Sequence, residues 1–452
     1  MLQTAPVTGL KPIDSTGTAF LSDLFDRLFP ITRSITGPGL RQSLDIFGEY
    51  MPLCRDRVAS GTAVFDWIVP QEWALKRATL TGPDGELIAD SDRSNLQVVN
   101  YSVPVDVELD LDELQPHLHS IPDQPDLIPY VTSYYRDSWG FCLAHTARQA
   151  LRPGRYRAVI PSRKYDGGVD FADCVLPGQT DREVMLSSYL CHPSLANNEL
   201  SGPLVLLGLF DRISRWKRRR FSYRFVLAPE TIGSLCYLSR HGERLKECLA
   251  SGLVLTCLGG PAETLSYKAS RRGTSTLDAL VARLGADEGY VVRPFTPISG
   301  SDERQYCSPG FNLPMGQMGR TLYGDYGGYH TSGDDKAFMG IGSLVDAIDR
   351  IEALLRRHEY AGVFVNQAPY GEAQLGRRGL YPSVNSPTTW AASSDRVVDS
   401  RTLLNRILTV LSDCDGEHRM IDIAARLDCH LDDLMPVVDR LEAEGLLKAA
   451  CR

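Results

Sequence analysis

The stretch Cys191-His192-Pro193-Ser194-Leu195-Ala196-Asn197-Asn198-Glu199-Leu200-Ser201-Gly202 decides how the rest of the chain is read. It stands between two apolar runs of different kind. Val184–Tyr189 before it is short and continuous, as a buried strand is, and Gly202–Ile213 after it has the length of a buried helix. A polar loop that leaves the carboxyl end of a strand and enters a helix is where open α/β sheets hold ligands. An imidazole and a carboxylate in such a loop can share a metal ion once the loop folds back. The same two side chains can equally cap the helix that follows.

The pattern on either side extends this unit. Downstream, Ser222–Ala228 and Gly252–Leu258 read as strands, and Ser234–His241, Ser275–Leu284 and Ser343–Arg357 as helices. Strands alternating with helices predict an α/β fold, a mostly parallel sheet sandwiched by helices. Upstream, Phe20–Phe29, closed by Pro30, and Gly37–Tyr50, with Leu40, Leu44, Ile46 and Phe47 on one face, read as helices. Between Val64 and Ala172 the period shortens. Phe65–Val69, Leu96–Tyr101, Arg155–Ile160 and Gly168–Ala172 are β runs, and Gly82-Pro83-Asp84-Gly85 suits a hairpin turn. The expected organisation is an α/β domain over 1–60 and 161–360 and an inserted β-rich domain over 61–160. A linker rich in Gly, Pro, Ser and Asn follows over 361–399, and a winged helix over 400–452. In that last unit Ser400–Leu411, Met420–Leu427 and Leu431–Glu444 are helices, and Gly445-Leu446-Leu447 enters a strand.

With 452 residues there is room for two or three domains, and 43% hydrophobic with 23% charged residues excludes a disordered or coiled-coil chain. A net charge of −8 argues against a nucleic-acid partner. The winged helix sharpens that point: residues 400–452 hold seven basic and ten acidic side chains. Its recognition helix opens with Asp432-Asp433 and offers only Arg440, so it reads as a packing or oligomer-forming module. Trp216-Lys217-Arg218-Arg219-Arg220 reads as the solvated end of a helix. The longest apolar stretch, Pro203–Phe210, is too short to cross a bilayer, and Met1–Thr18 carries no export signal. Eleven cysteines without a Cys-x-x-Cys pair suit reduced thiols in a cytoplasmic protein. Trp67, Trp73 and Trp139-Gly140-Phe141 either stack on a sugar at a lid or form the core of the inserted domain.

Further polar strings fall in strand-to-helix loops. Ala228-Pro229-Glu230-Thr231-Ile232-Gly233-Ser234 ends a strand, and Glu230 there is either a general base on a metal-bound water or an N-cap. Ser299–Tyr306 and Gly327-Gly328-Tyr329-His330-Thr331-Ser332 are polar turns. The order His, carboxylate, strand-end Glu, Ser-Asp, Tyr-His-Thr resembles the zinc aminopeptidases of the bacterial leucyl aminopeptidase and glutaminyl cyclase clan. Over nearly the whole chain the sequence resembles a bacterial family more closely. These are polysaccharide-biosynthesis proteins with an aminopeptidase-like domain, which carry an inserted β domain and a C-terminal winged helix. The strings that carry this likeness are Phe29–Ser34, Trp67–Trp73, Tyr134–Cys142, Cys191–Pro203, Ser301–Cys307 and Tyr329–Ser332.

The resemblance implies roles residue by residue. His192 and His330 match the first and last metal ligands, and Glu230 matches the general base. Three positions depart from the clan. Asn198, with Glu199 beside it, stands where a bridging aspartate belongs, Thr231 replaces a ligand glutamate, and Cys257 replaces a ligand aspartate. The loss of these carboxylates implies one zinc ion rather than two, held by His192, His330 and Glu199. Cys257 is an alternative thiolate ligand or a buried strand cysteine, and Asp302 orients a histidine or holds its loop. Tyr329 or Tyr326 is placed to stabilise an oxyanion, and Arg304 to meet a substrate carboxylate or phosphate. The implied function is hydrolysis of an amide in a small aminoacyl or amino-sugar conjugate or a short peptide. The alternatives are an acyl or aminoacyl transferase in polysaccharide or secondary-metabolite biosynthesis, and a catalytically inactive binding protein.

Overall fold

The computed structural model describes residues 10–381 and 399–450. Residues 1–9 of the segment read for an export signal, and residues 382–398 of the expected linker, lie outside these. Eight strands form one sheet: β1 (Cys54–Ala59), β2 (Gly168–Leu176), β3 (Glu183–Tyr189), β4 (Ser222–Ala228), β5 (Leu249–Leu255), β6 (Leu265–Lys268), β7 (Tyr290–Arg293) and β8 (Met315–Gly319). Their spatial order is β1-β2-β4-β3-β5-β8-β6-β7. The centre, β4-β3-β5-β8, is parallel. The flanks mix direction, with β1–β2, β2–β4 and β6–β8 antiparallel and β6–β7 parallel.

Alternation along the central strands puts the sheet between two cores. Val184 and Leu186 of β3, with Tyr223, Phe225 and Leu227 of β4, face one apolar cluster. Met185 and Val226 face the other. Every residue of β3 and β4 is buried, as a parallel strand covered on both faces requires. Helices α1 (Thr18–Leu28), α2 (Pro38–Gly48), α3 (Ser201–Ser214) and α6 (Ile341–Ala361) contribute to the first core. Helix α4 (Ile232–Cys248) belongs to the second, while α5 (Thr276–Leu284) packs its buried stripe into the first.

Between the antiparallel neighbours β1 and β2 the chain builds a separate four-stranded sheet. Its order is Leu87–Asp90, Thr79–Thr81, Arg155–Ile160, Val105–Asp110. It lies over a small core that includes Leu80, Tyr156, Ile160 and Phe141. The Gly82–Gly85 turn joins the first two of these strands in sequence, with Gly85 left-handed at φ 81°. Leu96–Tyr101 is not a strand. Asn95–Gln97 forms a 3-10 turn that the Ser94 hydroxyl caps by accepting from Leu96 N–H at 3.3 Å. Gly168–Leu176 belongs to the large sheet rather than to the inserted one. Trp73 is a core residue whose Nε1 donates to the Ser102 carbonyl at 2.9 Å, while Trp67 stays partly exposed.

The C-terminal unit has helices α7 (Ser400–Asp413), α8 (Met420–Arg426) and α9 (Leu431–Ala443). Its three-stranded sheet has the order Asp415–Arg419, Val363–Asn366, Leu447–Ala449. The central strand therefore comes from the segment read as linker and leaves directly from the end of α6. Helix α9 packs on α6, and Leu434, Val438 and Leu441 share one continuous core with α3 and α6. The basic run expected to be the solvated end of a helix is so in part, with Lys217 and Arg218 exposed. Arg220 is instead buried at this seam, because acidic α9 presents its carboxylates to it. Arg220 forks onto Glu442 at 2.5 and 2.7 Å, Arg218 meets the same carboxylate at 2.7 Å, and Arg357 forks onto Asp432 at 2.8 and 2.6 Å. Among the described residues no helix is long and apolar enough to cross a membrane.

Candidate functional site

The loops leaving the carboxyl ends of β3, β4 and β5 meet the loop before α6. The β3–α3 loop enters its helix through a π-helical turn at Ala196–Leu200. Asp334 pins that turn by accepting from the N–H groups of Asn197 (2.6 Å) and Asn198 (2.9 Å). Ser194, Thr231, Cys257 and His330, none of them glycine, are all left-handed here, at φ 45°, 61°, 52° and 54°. Backbone strain of this kind gathers at functional sites, where the surroundings over-determine it.

His192 is held from one side. Its Nδ1 lies 2.8 Å from Glu199 Oε2, while Glu199 Oε1 accepts from the Cys191 N–H. Cys191 Sγ is 3.3 Å from the same Nδ1. Cys191, His192 and Glu199 thus bring three donor atoms within 4.8 Å of one another. Behind them is the buried Arg33, whose Nε donates to the His192 carbonyl at 2.9 Å and lies 3.5 Å from Glu199 Oε1. The other ring nitrogen, Nε2, lies 3.9 Å from Glu230 Oε2. Burial opposes a charged His192, but Cys191 and Glu199 outweigh it and hold the ring well above its ordinary pKa. Burial pushes the Cys191 thiol up to about 11.

His330 approaches from the far loop, with its ring centroid 5.6 Å from that of His192. Burial, and then the neighbouring His192, push it down to about 3, so it is neutral at physiological pH. Its Nε2 is buried without a partner. The Tyr329 ring stacks on it at 3.9 Å and 17°. Tyr326 is turned elsewhere, its hydroxyl 3.2 Å from Asp334 Oδ2.

Glu230 does not cap α4. Its Oε1 accepts from the Ser301 hydroxyl at 2.7 Å, and its N–H donates to Cys191 Sγ at 3.3 Å. Asp302 holds the turn after it, accepting from Thr231 N–H (2.8 Å) and the Ser234 hydroxyl (2.9 Å). Of the two roles expected for Asp302 it takes loop holding, and its partners include no histidine. Burial and the nearby Glu230 push its carboxyl up to about 8. Asn198 donates through Nδ2 to Tyr189 Oη (2.8 Å) and lies 4.0 Å from Cys257 Sγ, while its Oδ1 is buried without a partner. Cys257 is fully buried, and that burial pushes its thiol up to about 12. Arg304 is half-buried and donates through Nε to the Ser301 carbonyl at 3.1 Å.

Four participants have no role in the sequence reading. Tyr130, from the inserted region, places its ring 5.2 Å from His192 and 5.3 Å from His330. Arg33 lies inside the Phe29–Ser34 string, and Asp334 follows the Tyr329–Ser332 string closely. Those strings were the available signals. Lys268 is buried in an ion pair with Glu303 at 2.7 Å, and Glu303 accepts from the Ser301 N–H at 2.9 Å, which fixes the residue that grips Glu230.

Comparison with known proteins places this arrangement. Residues 22–360 match the family model described as "Domain of unknown function (DUF4910)", and residues 362–449 match "winged helix-turn-helix". A Clostridium acetobutylicum protein named "Putative polysaccharide biosynthesis protein with aminopeptidase-like domain" is 39% identical over 428 residues, 94% of this chain and 95% of that one. The crystal structure of a C. acetobutylicum protein described as a "putative peptidase" matches with a TM-score of 0.83 at 36% identity, covering 96% of this chain and 97% of that one. A zinc aminopeptidase from Bacillus subtilis shares the fold at a TM-score of 0.55 and 13% identity, over 76% of this chain and 94% of its own. On the strength of the first model and the two Clostridium relatives, the chain belongs to the DUF4910 family of proteins with an aminopeptidase-like domain and a C-terminal winged helix.

Proposed function

We propose that the protein is a hydrolase of aminopeptidase type that uses one zinc ion to cleave an amide in a small aminoacyl or amino-sugar conjugate or a short peptide. The observation that carries this reading is the meeting of two imidazoles from distant loops beside a strand-end glutamate. The names of the relatives, "putative peptidase" and "zinc aminopeptidase", point the same way.

Two faces of His192 offer themselves to a cation. On the Nδ1 face, Glu199 already accepts from Cys191 N–H, and the Arg33 guanidinium 3.5 Å away offsets its charge. The Cys191 thiol, pushed up to about 11, resists forming the thiolate that binds metal. On the Nε2 face, His330 is neutral and has an unpartnered ring nitrogen, which suits an imidazole ligand. We assign His192 and His330 as the nitrogen ligands, the ion at Nε2 taking the place of the second proton that the His192 ring otherwise holds. Glu199, expected as a third ligand, instead fixes the tautomer of His192 from behind, since an oxygen bonded at Nδ1 lies on the far side of the ring from Nε2. Asn198, Thr231 and Cys257 leave a second ion without the anionic ligands that adjacent cations need. When bound, the zinc supplies Lewis-acid polarisation of the scissile carbonyl and acidifies water.

The chain's own groups do the rest. Glu230, fixed at Oε1 by Ser301, takes a proton from the attacking water and returns it to the leaving amine. Tyr329, whose hydroxyl has no partner among the described residues, donates to the developing oxyanion. Tyr326, bonded to Asp334, is left out of that role. Arg304 meets a carboxylate or phosphate on the substrate. No nucleic-acid partner is proposed, because α9 turns acidic residues to the α/β domain. Ten free cysteines among the described residues support a reducing, cytoplasmic setting. The three replaced carboxylates favour a second reading, a binding protein without turnover.

Hydrolysis of aminoacyl nitroanilides by the zinc-loaded protein tests the proposal. Glu230→Gln should lower turnover by about 10²- to 10⁴-fold with zinc content unchanged. Turnover that survives removes Glu230 as the base. A wild-type protein silent on every amide favours the binding reading, and product formed only with an acceptor amine indicates a transferase.

A further inference from the structure

We infer that Tyr130 and the extended loop segment around it position the His330 side of the metal centre, so that the inserted region completes a site the α/β unit does not assemble alone. This deepens the assignment of His192 and His330 as ligands and rests on it. His330 is left-handed at φ 54°, a conformation that a residue with a side chain keeps only when its surroundings enforce it.

The enforcing contacts come from the insertion. Tyr130 N–H donates to the His330 carbonyl at 2.7 Å, and Ser332 N–H to the Ile128 carbonyl at 2.8 Å. Ile128 N–H donates to the Ser332 hydroxyl at 3.0 Å, and Gln124 Nε2 to the Gly327 carbonyl at 2.6 Å. Pro129 and Thr331 form an antiparallel bridge between these bonds. The loop bearing His330 is thus zipped to the segment 124–131 on both sides of the histidine.

The ring of Tyr130 then sets the spacing of the two ligands. It stands edge-on to His330 (5.3 Å, 85°) and tilted to His192 (5.2 Å, 56°), while the imidazoles are 5.6 Å apart. The three centroids make a nearly equilateral triangle, so the tyrosine ring is packed against both imidazoles at once. The Tyr130 hydroxyl is 2.8 Å from that of Tyr134. The same segment is tied to the His192 side. Asn100 N–H donates to the Val131 carbonyl (2.9 Å), Asn100 Nδ2 to the Arg33 carbonyl (2.9 Å), and Arg33 Nε to the His192 carbonyl (2.9 Å). One inserted segment therefore contacts the two ligands at once. Groups that orient metal ligands in this way typically change affinity 10- to 100-fold when removed.

The test is the Zn²⁺ affinity of the full-length apo-protein, measured by competition with a chromophoric chelator, with Co²⁺ absorption as a report on ligand geometry. Tyr130→Ala and Ser332→Ala should each weaken zinc binding about 10- to 100-fold and alter the Co²⁺ spectrum. Tyr130→Phe, which keeps the ring and the backbone donor, should bind as the wild type does. Melting curves of the apo-variants show that each is folded, and where Tyr130→Ala is not, Ser332→Ala carries the test. If both variants bind like wild type while His330→Ala does not bind, the positioning role is overturned and the ligand assignment stands. A wild-type chain that takes up no zinc overturns the ligand assignment, and with it this inference.

Discussion

His330 is half-buried and His358 fully buried, both are pushed toward the neutral form, to about 3 and about 4, and each has one buried ring nitrogen without a partner. Their company differs. His358 sits on α6 with Nε2 3.0 Å from the Ser251 hydroxyl and the Phe221 ring 5.1 Å away, and burial alone accounts for its shift. His330 faces a second imidazole, whose Nε2 lies near a half-open glutamate. An unpartnered buried nitrogen costs about 1–3 kcal/mol wherever it lies and does not by itself mark a ligand. Convergence does. The neighbourhood of His358 is the seam with the winged helix, where charges are matched across the boundary. Arg220 forks onto Glu442, and Glu359 accepts from the backbone N–H groups of Arg220 and Phe221. The seam's polar groups are paired across the two units, while at the centre His330 Nε2 and Asn198 Oδ1 are buried without partners.

The contrast can be broken at the seam first. Glu442→Ala leaves Arg220 buried and unpaired, and loss of one partner of a buried pair costs about 3–5 kcal/mol. The melting temperature should fall sharply while zinc uptake stays at the wild-type level. A large loss of zinc in this variant would mean that the two regions are not independent.

A smaller effect separates the two histidines by pH. The folded chain keeps His358 neutral down to about 4, whereas an unfolded chain takes up a proton near 6.5. The unfolded state therefore binds more protons in that window, and stability that is complete above about 6.5 is lost as pH falls toward 4. By pH 5 the loss is about 2 kcal/mol. Asp302 and Asp334, raised to about 8 and about 6, work in the opposite sense. The comparison is consequently between wild type and His358→Gln: the fall in melting temperature between pH 7 and pH 5 should be shallower in the variant. Equal slopes would contradict a buried neutral His358.

The central strands and the loops after them were legible because buried parallel strands and polar strand ends leave local signals. Val184–Tyr189 and Ser222–Ala228 were read to within a residue of their observed bounds. The flanking strands at 54–59, 265–268, 290–293 and 315–319 were not read, since their burial comes from partners distant in the chain. The strand Val363–Asn366 was hidden in a linker for the same reason: four residues acquire meaning only when paired with Asp415–Arg419 and Leu447–Ala449. At the site, His192, Glu230 and His330 announce themselves by type and place. Tyr130 does not, because a tyrosine in a β-rich insertion looks like any other until the fold lays it between two histidines. Glu199 shows the limit of spacing. Its carboxylate offers a donor atom within 4.8 Å of those of Cys191 and His192, as a ligand's would, and its Oε2 also lies 2.8 Å from His192 Nδ1, as an orienting group's would.

The most direct test is the zinc content of the full-length protein by elemental analysis, for wild type, His192→Ala and His330→Ala. One zinc per wild-type chain, and none retained by either variant, is the predicted result. Two ions per chain, no ion at all, or zinc held equally well without His330 would contradict the account.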